Sequence, residues 1–385
     1  MKAAGVIVEF NPLHNGHIQH LQETVRLTKR EHIVAVMSGN FVQRGEPALI
    51  NKWHRTRMAL LAGVDIVIEL PVIYVISGAE DFAQGSVKLL AATNIVDKLC
   101  FGTECGDIAP ILEVGRILAD EPVEYKKALL QGLSQGMNFA AARGAALTGV
   151  MGDIPDGLLT KPNNTLGTEY VKALVQLGWP MEAYTSYRAE GGVSATAIRN
   201  AVWMGESIEG VPDFVSEITQ NCIKTKETAR LNDFSQIFRY MLYTTNIDMG
   251  EGLENRFRHF SKEQLRLKDL LDAVKTKRYT YTRLQRAALG VVLGINKKNM
   301  TPFTFPLTPP YIRILGFRRE KADLLGEMTR NASLPVVTSG KDMDKLEGAA
   351  ATVLAKEFEA GDIYSMAHAG TSGYRHERRM PIVIV

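Results

Sequence analysis

The chain opens on an apolar run over residues 3–8, cut off by Asn11 and Pro12, which do not continue a central strand, and a helical pattern then begins around Gly16 and reaches about Lys29. This predicts strand, loop, helix. The alternation repeats along the first two hundred residues. An apolar stretch over 32–37 reads as a second strand, followed by a loop of turn and polar residues over 41–47 and a helix over 51–62. A buried strand over 65–70 is closed by Pro71, and a helix over 80–92 leads to a strand over 98–101 and a turn at Gly102, Thr103 and Glu104. Strands alternating with helices at this rhythm predict an α/β fold with a parallel, doubly wound, Rossmann-like sheet. Helical periodicity then covers 108–119, 124–131, 139–147 and 166–177, and 181–187 alternates like a strand before a further helix opens at Ser194. From about residue 206 to 330 the pattern is almost wholly helical until Pro302, Pro306, Pro309 and Pro310 break it. The tail has one helix over 343–358 and an apolar end over 382–385. Two domains are expected, a catalytic α/β domain over 1–205 and a mainly helical one over 206–385.

Composition narrows the class. At 385 residues the chain can bury a core in each domain, and 45% hydrophobic with 23% charged residues is ordinary for a soluble protein. No eighteen-residue apolar run and no cleavable leader pattern occur, so a cytoplasmic protein is expected. Cys100, Cys105 and Cys222 are too few and too scattered for a disulfide framework or a four-ligand zinc site and read as reduced thiols. The net charge of +3 is unevenly spread: residues 221–330 hold 21 Lys plus Arg against 11 Asp plus Glu, a balance of +10 that leaves −7 for the remainder. A basic segment beside an acidic half suggests a polyanionic partner, with Lys275, Lys277, Arg318 and Arg319 as candidate contacts; a solvated helical surface would look the same.

The chemistry concentrates at the first strand-to-helix turn. His14 and His17 stand three residues apart with Gly16 between them, so both imidazoles project from one face near the helix amino end. Free backbone N–H groups and the positive end of the helix dipole collect there and favour anions. Glycine lets a phosphate approach the backbone, and imidazoles can donate hydrogen bonds to phosphoryl oxygens as charge builds up. Solvated cap residues or a metal pair are the plain alternatives. A second such turn follows the late strand: in SATAIR, Ser194 is a good N-cap and Thr196 and Arg199 lie one turn apart, hydroxyls and a guanidinium able to close over pyrophosphate. A helix cap with a surface Arg is the simpler reading of that segment taken alone.

Read together, VEFNPLHNGH, VMSGNFVQRGEPALINKW with RTRMAL, GVDIVIELP, CFGTE, KPNNTLGTEY and VSATAIR closely resemble the bacterial tRNA(Met) cytidine acetate ligases of the HIGH-motif nucleotidyltransferase superfamily. The resemblance covers the first two hundred residues; the basic helical half fits in character only. It implies an enzyme that activates acetate with ATP to acetyl-adenylate and transfers the acetyl group to N4 of the wobble cytidine of elongator tRNA(Met). It further implies that Ile7, Val8, Glu9, Phe10, Asn11, Pro12, Leu13, His14, Asn15, Gly16, His17, Ile18, Gln19 and His20 form the ATP site with Gly102, Asn163 and Arg188. His14 and His17 would carry the catalysis. Gly102 is expected to end a strand, Asn163 to hydrogen-bond from a loop, and Arg188 to offer a positive fork to phosphate. Leu13 stands where relatives have an aromatic residue, and Ala195 where many nucleotidyltransferases have a second hydroxyl. Magnesium is expected with the triphosphate, and no protein metal cage is evident. The rivals are a small-molecule adenylyl- or cytidylyltransferase of the same fold, a degenerate aminoacyl-tRNA synthetase relative, against which the missing KMSKS-like loop argues, and a non-enzymatic RNA-binding protein.

Overall fold

Six-residue apolar strands with no polar face are stable only where both faces are covered, and the sheet is built that way. A computed structural model describes residues 1–188, 191–295, 308–367 and 377–385. Strands β1 (Ala3–Val8), β2 (Ile33–Ser38), β5 (Ile66–Leu70), β6 (Val96–Thr103) and β7 (Glu182–Tyr187) pair in parallel in the order β5-β2-β1-β6-β7. From β1 the chain turns to β2 on one side and later to β6 on the other. The sheet therefore reverses its winding beside β1.

The alternation along β2 shows how the faces divide. Ile33, Ala35 and Met37 join a layer with Leu21 of α1 (Asn15–Thr28), Met58 and Leu60 of α2 (Lys52–Leu61), and Val202, Val215 and Cys222. Val34 and Val36 point the other way, into a layer with Val87 and Leu90 of the helix Ala79–Ala92 and Val171 and Leu174 of the helix Pro162–Gln176. That second layer runs on without a break into Phe234, Phe238, Leu271 and Leu289 of the helical half.

Three differences from the sequence reading matter. The loop over 41–47 contains a small antiparallel pair, β3 (Phe41–Val42) with β4 (Glu46–Pro47). The stretch to residue 330, read as almost wholly helical with a break at the prolines, includes a strand, β8 (Ile312–Phe317), which joins the sheet antiparallel to β5. Two short strands, β9 (Val336–Val337) and β10 (Val383–Ile384), pair with β8, so among the described residues the sheet has eight strands and is mostly rather than wholly parallel. The reason is local: a six-residue run next to Pro309 and Pro310, with Arg313 inside it, is too short to be told from a buried helix by periodicity, and pairing with β5 decided it. The tail helix runs later than expected, over Gly348–Met366. Pro302 and Pro306 lie outside the described residues.

Candidate active site

Open α/β sheets bind ligands beyond the carboxyl ends of the strands, where the winding reverses. Here that point lies between β1 and β6, and the turn from β1 into α1 sits on it. Phe10, which leaves β1, is in the left-handed region at φ +46°, and the Asn11–Pro12 peptide is cis. Asn11 is pinned by its side chain, whose Oδ1 accepts from the Leu49 amide at 2.7 Å. Val8, Phe10, Pro12 and Leu13 are buried and brace the turn, Ile7, Glu9 and Ile18 are half-buried, and Asn15, Gly16 and Gln19 are exposed.

His14 is the N-cap of α1. Its Nδ1 accepts from the Gly16 amide at 3.1 Å, and Nδ1 of His17, at the third helical position, accepts from the His14 amide at 3.2 Å. This is a capping box built from two imidazoles instead of a hydroxyl and a carboxylate. The bond pattern assigns the tautomer. With Nδ1 of each ring accepting, each neutral ring carries its proton on Nε2. The rings stack with centroids 3.8 Å apart, and Phe10 meets His17 edge-on at 5.1 Å. A Cβ on residue 16 would lie 3.0 Å from Cε1 of His14, so glycine is what lets that ring fold over the helix start.

His14 is only 4% exposed, and its Nε2 has no hydrogen-bond partner. A buried donor left unpaired costs about 1–3 kcal/mol, which a ligand oxygen would recover. His20 is held from β7, with Nδ1 2.6 Å from the Ser186 hydroxyl. Burial, reinforced by the positive charge of Arg188, pushes His14 and His20 down to about 4. Burial pushes His17 well down too, helped by His14, Arg188 and His20. Three neutral imidazoles thus face one guanidinium, and Arg188 is set in place where its amide donates to the Thr103 carbonyl at 2.9 Å. Neutral N–H donors beside the exposed Arg188 guanidinium suit a ligand whose negative charge grows during reaction.

Gly102 lies within β6, paired with Ser186, rather than in a turn after it. No atom comes within 4 Å of the place its Cβ would take, which leaves open room beside the strand end. Asn163 also departs from expectation. The helix begins at Pro162, four residues earlier than its apolar periodicity suggests, so Asn163 stands in the first turn rather than in a loop. Its Nδ2 donates to Glu104 at 2.7 Å, and the same carboxylate accepts the amides of Asn163 and Asn164. The Asn164 carboxamide oxygen in turn accepts the amides of Glu104 at 2.8 Å and Cys105 at 3.2 Å.

Comparison with known proteins bears on this geometry directly. The HIGH Nucleotidyl Transferase family model matches residues 1–379. A tRNA(Met) cytidine acetate ligase of Caldanaerobacter subterraneus is 41% identical over 96% of both chains, and one from Alkaliphilus metalliredigens is 35% identical over 95% of this chain and 94% of its own. The crystal structure of Thermotoga maritima TmcAL bound with alpha-thio ATP superposes with a TM-score of 0.93 at 34% identity, over 100% of this chain and 99% of that one. The chain belongs to the tRNA(Met) cytidine acetate ligase family.

Within that family's frame, the SATAIR turn closes on the histidine turn. Ser194 caps the helix Ala195–Met204, its hydroxyl oxygen accepting from the Ala197 amide at 3.1 Å. Arg199 donates to the Asn11 carbonyl at 2.9 Å and to the Thr196 hydroxyl at 3.1 Å, and its buried Nε has no partner. The fold thus brings Arg199 and Asn11, nearly two hundred positions apart, into contact. Sequence reasoning missed the residues that hold the site from behind. Arg55 is wholly buried and donates to the carbonyls of Glu9 at 2.6 Å, Ser38 at 3.1 Å, Ile50 at 3.0 Å and Gly39. Ser186, Glu104 and Asn164 act similarly; Glu104 and Asn164 carry no signal beyond their place in a matched motif, and Ser186 lies outside every matched motif.

The basic candidates separate. Lys275 and Lys277 are exposed in the turn between the helices Leu267–Val274 and Tyr281–Val292. Arg318 and Arg319 follow β8 at the other edge of the sheet, beside the start of β5. Arg318 lies 3.5 Å from Asp65 and 2.5 Å from Glu320, and its amide donates to the Asp65 carbonyl.

Proposed function

We propose that this protein activates acetate with ATP and acetylates the wobble cytidine of elongator tRNA(Met). In the first step an acetate oxygen attacks the α-phosphorus, pyrophosphate leaves, and acetyl-adenylate forms. In the second, N4 of the cytidine attacks the acetyl carbon, AMP leaves, and the amine gives up a proton, yielding N4-acetylcytidine. The observation that carries the reading is the unpartnered, buried Nε2–H of His14 at the amino end of α1, beside His17 and Arg188. Such a donor set orients a triphosphate and offsets the charge that builds up as pyrophosphate departs. Arg199 and the hydroxyls of Ser194 and Thr196 close the opposite side, and Gly102 leaves room for the nucleoside. The name and bound nucleotide of the structural neighbour support the ATP assignment.

Magnesium enters, on this reading, on the triphosphate. Glu9 accepts from the Gln43 amide and the Ser38 hydroxyl on one oxygen, and Glu104 is engaged by the helix start. The catalytic part is built on residues 1–205, but its sheet is completed by β8, β9 and β10, so the expected boundary at 205/206 does not divide the chain cleanly; the helices after residue 206 dock the tRNA through phosphate contacts that include Lys275 and Lys277. The paired state of Arg318 makes the Arg318–Arg319 edge the weaker of the two candidate contacts. No helix among the described residues is long and apolar enough to cross a membrane, which fits a cytoplasmic enzyme. The deciding experiment measures pyrophosphate exchange with and without acetate, followed by mass spectrometry of the wobble nucleoside of tRNA(Met) after incubation. Exchange that ignores acetate, or an unmodified nucleoside, would overturn the reading.

A further inference from the structure

Away from the nucleotide site, His54 meets two residues far along the sequence, Cys222 and Glu227, between α2 and the end of the helix Asp213–Lys224. That helix closes with Lys226 in the left-handed region at φ +57°, and the Glu227 amide returns to the Cys222 carbonyl at 2.8 Å. The turn folds Glu227 back over Cys222. An isolated antiparallel bridge between Ile50 and Thr228, with the Ala229 amide donating to the Leu49 carbonyl, then fixes this turn against the start of α2. His54, in the first turn of α2, is thereby placed with Nε2 3.2 Å from Glu227 Oε2. The His54 nitrogen, the Cys222 sulfur and a Glu227 oxygen all lie within 4.8 Å of one another.

We propose that His54, Cys222 and Glu227 form a binding site for a zinc ion. The donor set, one thiolate, one imidazole and one carboxylate, matches the ligands zinc prefers and is too soft for magnesium or calcium. Zinc bonds of about 2.0–2.3 Å place tetrahedral ligands roughly 3.3–3.7 Å apart, so a pair at the 4.8 Å limit needs to close by about 1.1–1.5 Å, while His54 and Glu227 already stand 3.2 Å apart. Three protein ligands leave a fourth position for water. His54 also lines a cavity of about 540 Å³ with Arg57, Phe214, Glu217 and Lys224, which has room for it. Binding replaces the thiol proton, released to solvent, with the metal–sulfur bond. An activated cysteine nucleophile is the competing use of such a cluster. The thiol does not suit it: burial, then the charge of Glu227, push Cys222 up to about 12. Bound there, the ion would clamp the first helix after the SATAIR segment to α2 and hold the helical half against the nucleotide-binding half.

Metal analysis of the intact, purified chain is expected to return about one zinc per chain after extensive dialysis. After chelation, titration with cobalt(II) should give the visible absorption of a tetrahedral site together with a sulfur-to-cobalt charge-transfer band. Both should vanish in Cys222→Ser, and cobalt affinity should fall at least tenfold in His54→Ala and Glu227→Gln. Zinc should raise the melting temperature of wild type but not of Cys222→Ser. Circular dichroism of the variants establishes that each remains folded, and the near-isosteric Glu227→Gln keeps the comparison open if His54→Ala does not fold. Absence of zinc and of the cobalt bands in wild type, or bands that persist unchanged in Cys222→Ser, would overturn the proposal. The histidines of the nucleotide site cannot mimic the result, because the charge-transfer band requires a thiolate.

Discussion

Replacing His14 with Asn separates the two tasks its ring performs. The imidazole Nδ1 caps α1 by accepting from Gly16, while Nε2–H is buried and unpaired. Asparagine is among the best N-caps, and its side-chain oxygen can take the Gly16 amide in place of Nδ1. It has nothing in place of Nε2. The cap is worth about 1 kcal/mol and is retained, and deleting an unsatisfied donor relieves a desolvation cost of about 1–3 kcal/mol, which offsets the packing that the ring supplied. His14→Asn should therefore unfold within about 1 kcal/mol of wild type. Catalysis should respond in the opposite sense. Loss of one preorganised donor to developing charge typically costs about 2.7–4 kcal/mol, or a hundred- to a thousandfold in turnover. His14→Ala, which loses cap and donor together, should lose similar activity and about 1 kcal/mol more stability. Urea denaturation beside acetate-dependent pyrophosphate exchange measures both quantities. An Asn variant that turns over like wild type would show that His14 is a helix cap and nothing else, and the charge-stabilising role would have to pass to His17 and Arg188.

Other consequences can be checked independently. Because His14, His17 and His20 have depressed pKa values in the folded chain, the unfolded chain binds more protons below about pH 6.5, so folding free energy should fall as pH drops from 6.5 towards 4. A His20→Asn variant should show a shallower slope in a pH series of urea midpoints; an equal slope would contradict the burial argument. In the buried cluster of Lys52, Glu69, Arg313, Glu357 and Glu377, burial and the neighbouring Glu69 charge push Glu357 up while Lys52 and Arg313 hold Glu69 down. Glu357→Gln should accordingly be mild, whereas Glu69→Gln strands buried cations and should cost about 3–5 kcal/mol; equal losses by denaturant titration would refute that division of charge. For tRNA, the Lys275→Ser, Lys277→Ser double variant should flatten the plot of log affinity against log salt by about one unit for each phosphate no longer engaged and leave pyrophosphate exchange intact, and Arg318→Ala should change the slope little. A slope unchanged in the first or strongly changed in the second would put the RNA path elsewhere.

How far the sequence could be read depended on the range over which each feature is specified. The turn from β1 to α1 is local: a strand stop, a glycine and two histidines one helical turn apart define it, and α1 starts where that spacing predicts. The sheet core was equally readable, because strands buried on both faces are continuous apolar runs. What could not be read is whatever depends on partners distant in the chain. Ile312–Phe317 became a strand because the edge of β5 was open to it, and nothing within six residues announces such an edge. Asn163 was placed in a loop because Pro162 and the polar residues after it mask a helix start that is fixed by Glu104, some sixty positions earlier. The same logic governs charge. Arg55, Arg313 and Lys52 look in sequence like solvated cations and are almost wholly buried, each held by carbonyls or carboxylates from other segments, whereas Lys275 and Lys277 look identical and are exposed. A local charge balance of +10 therefore overstates the surface field available to a polyanion. Of its 21 cations, Arg313 is buried in ion pairs and Arg318 faces two carboxylates. The salt dependence of tRNA binding, which counts only cations that reach phosphate, is consequently the measurement on which the role of the helical half turns.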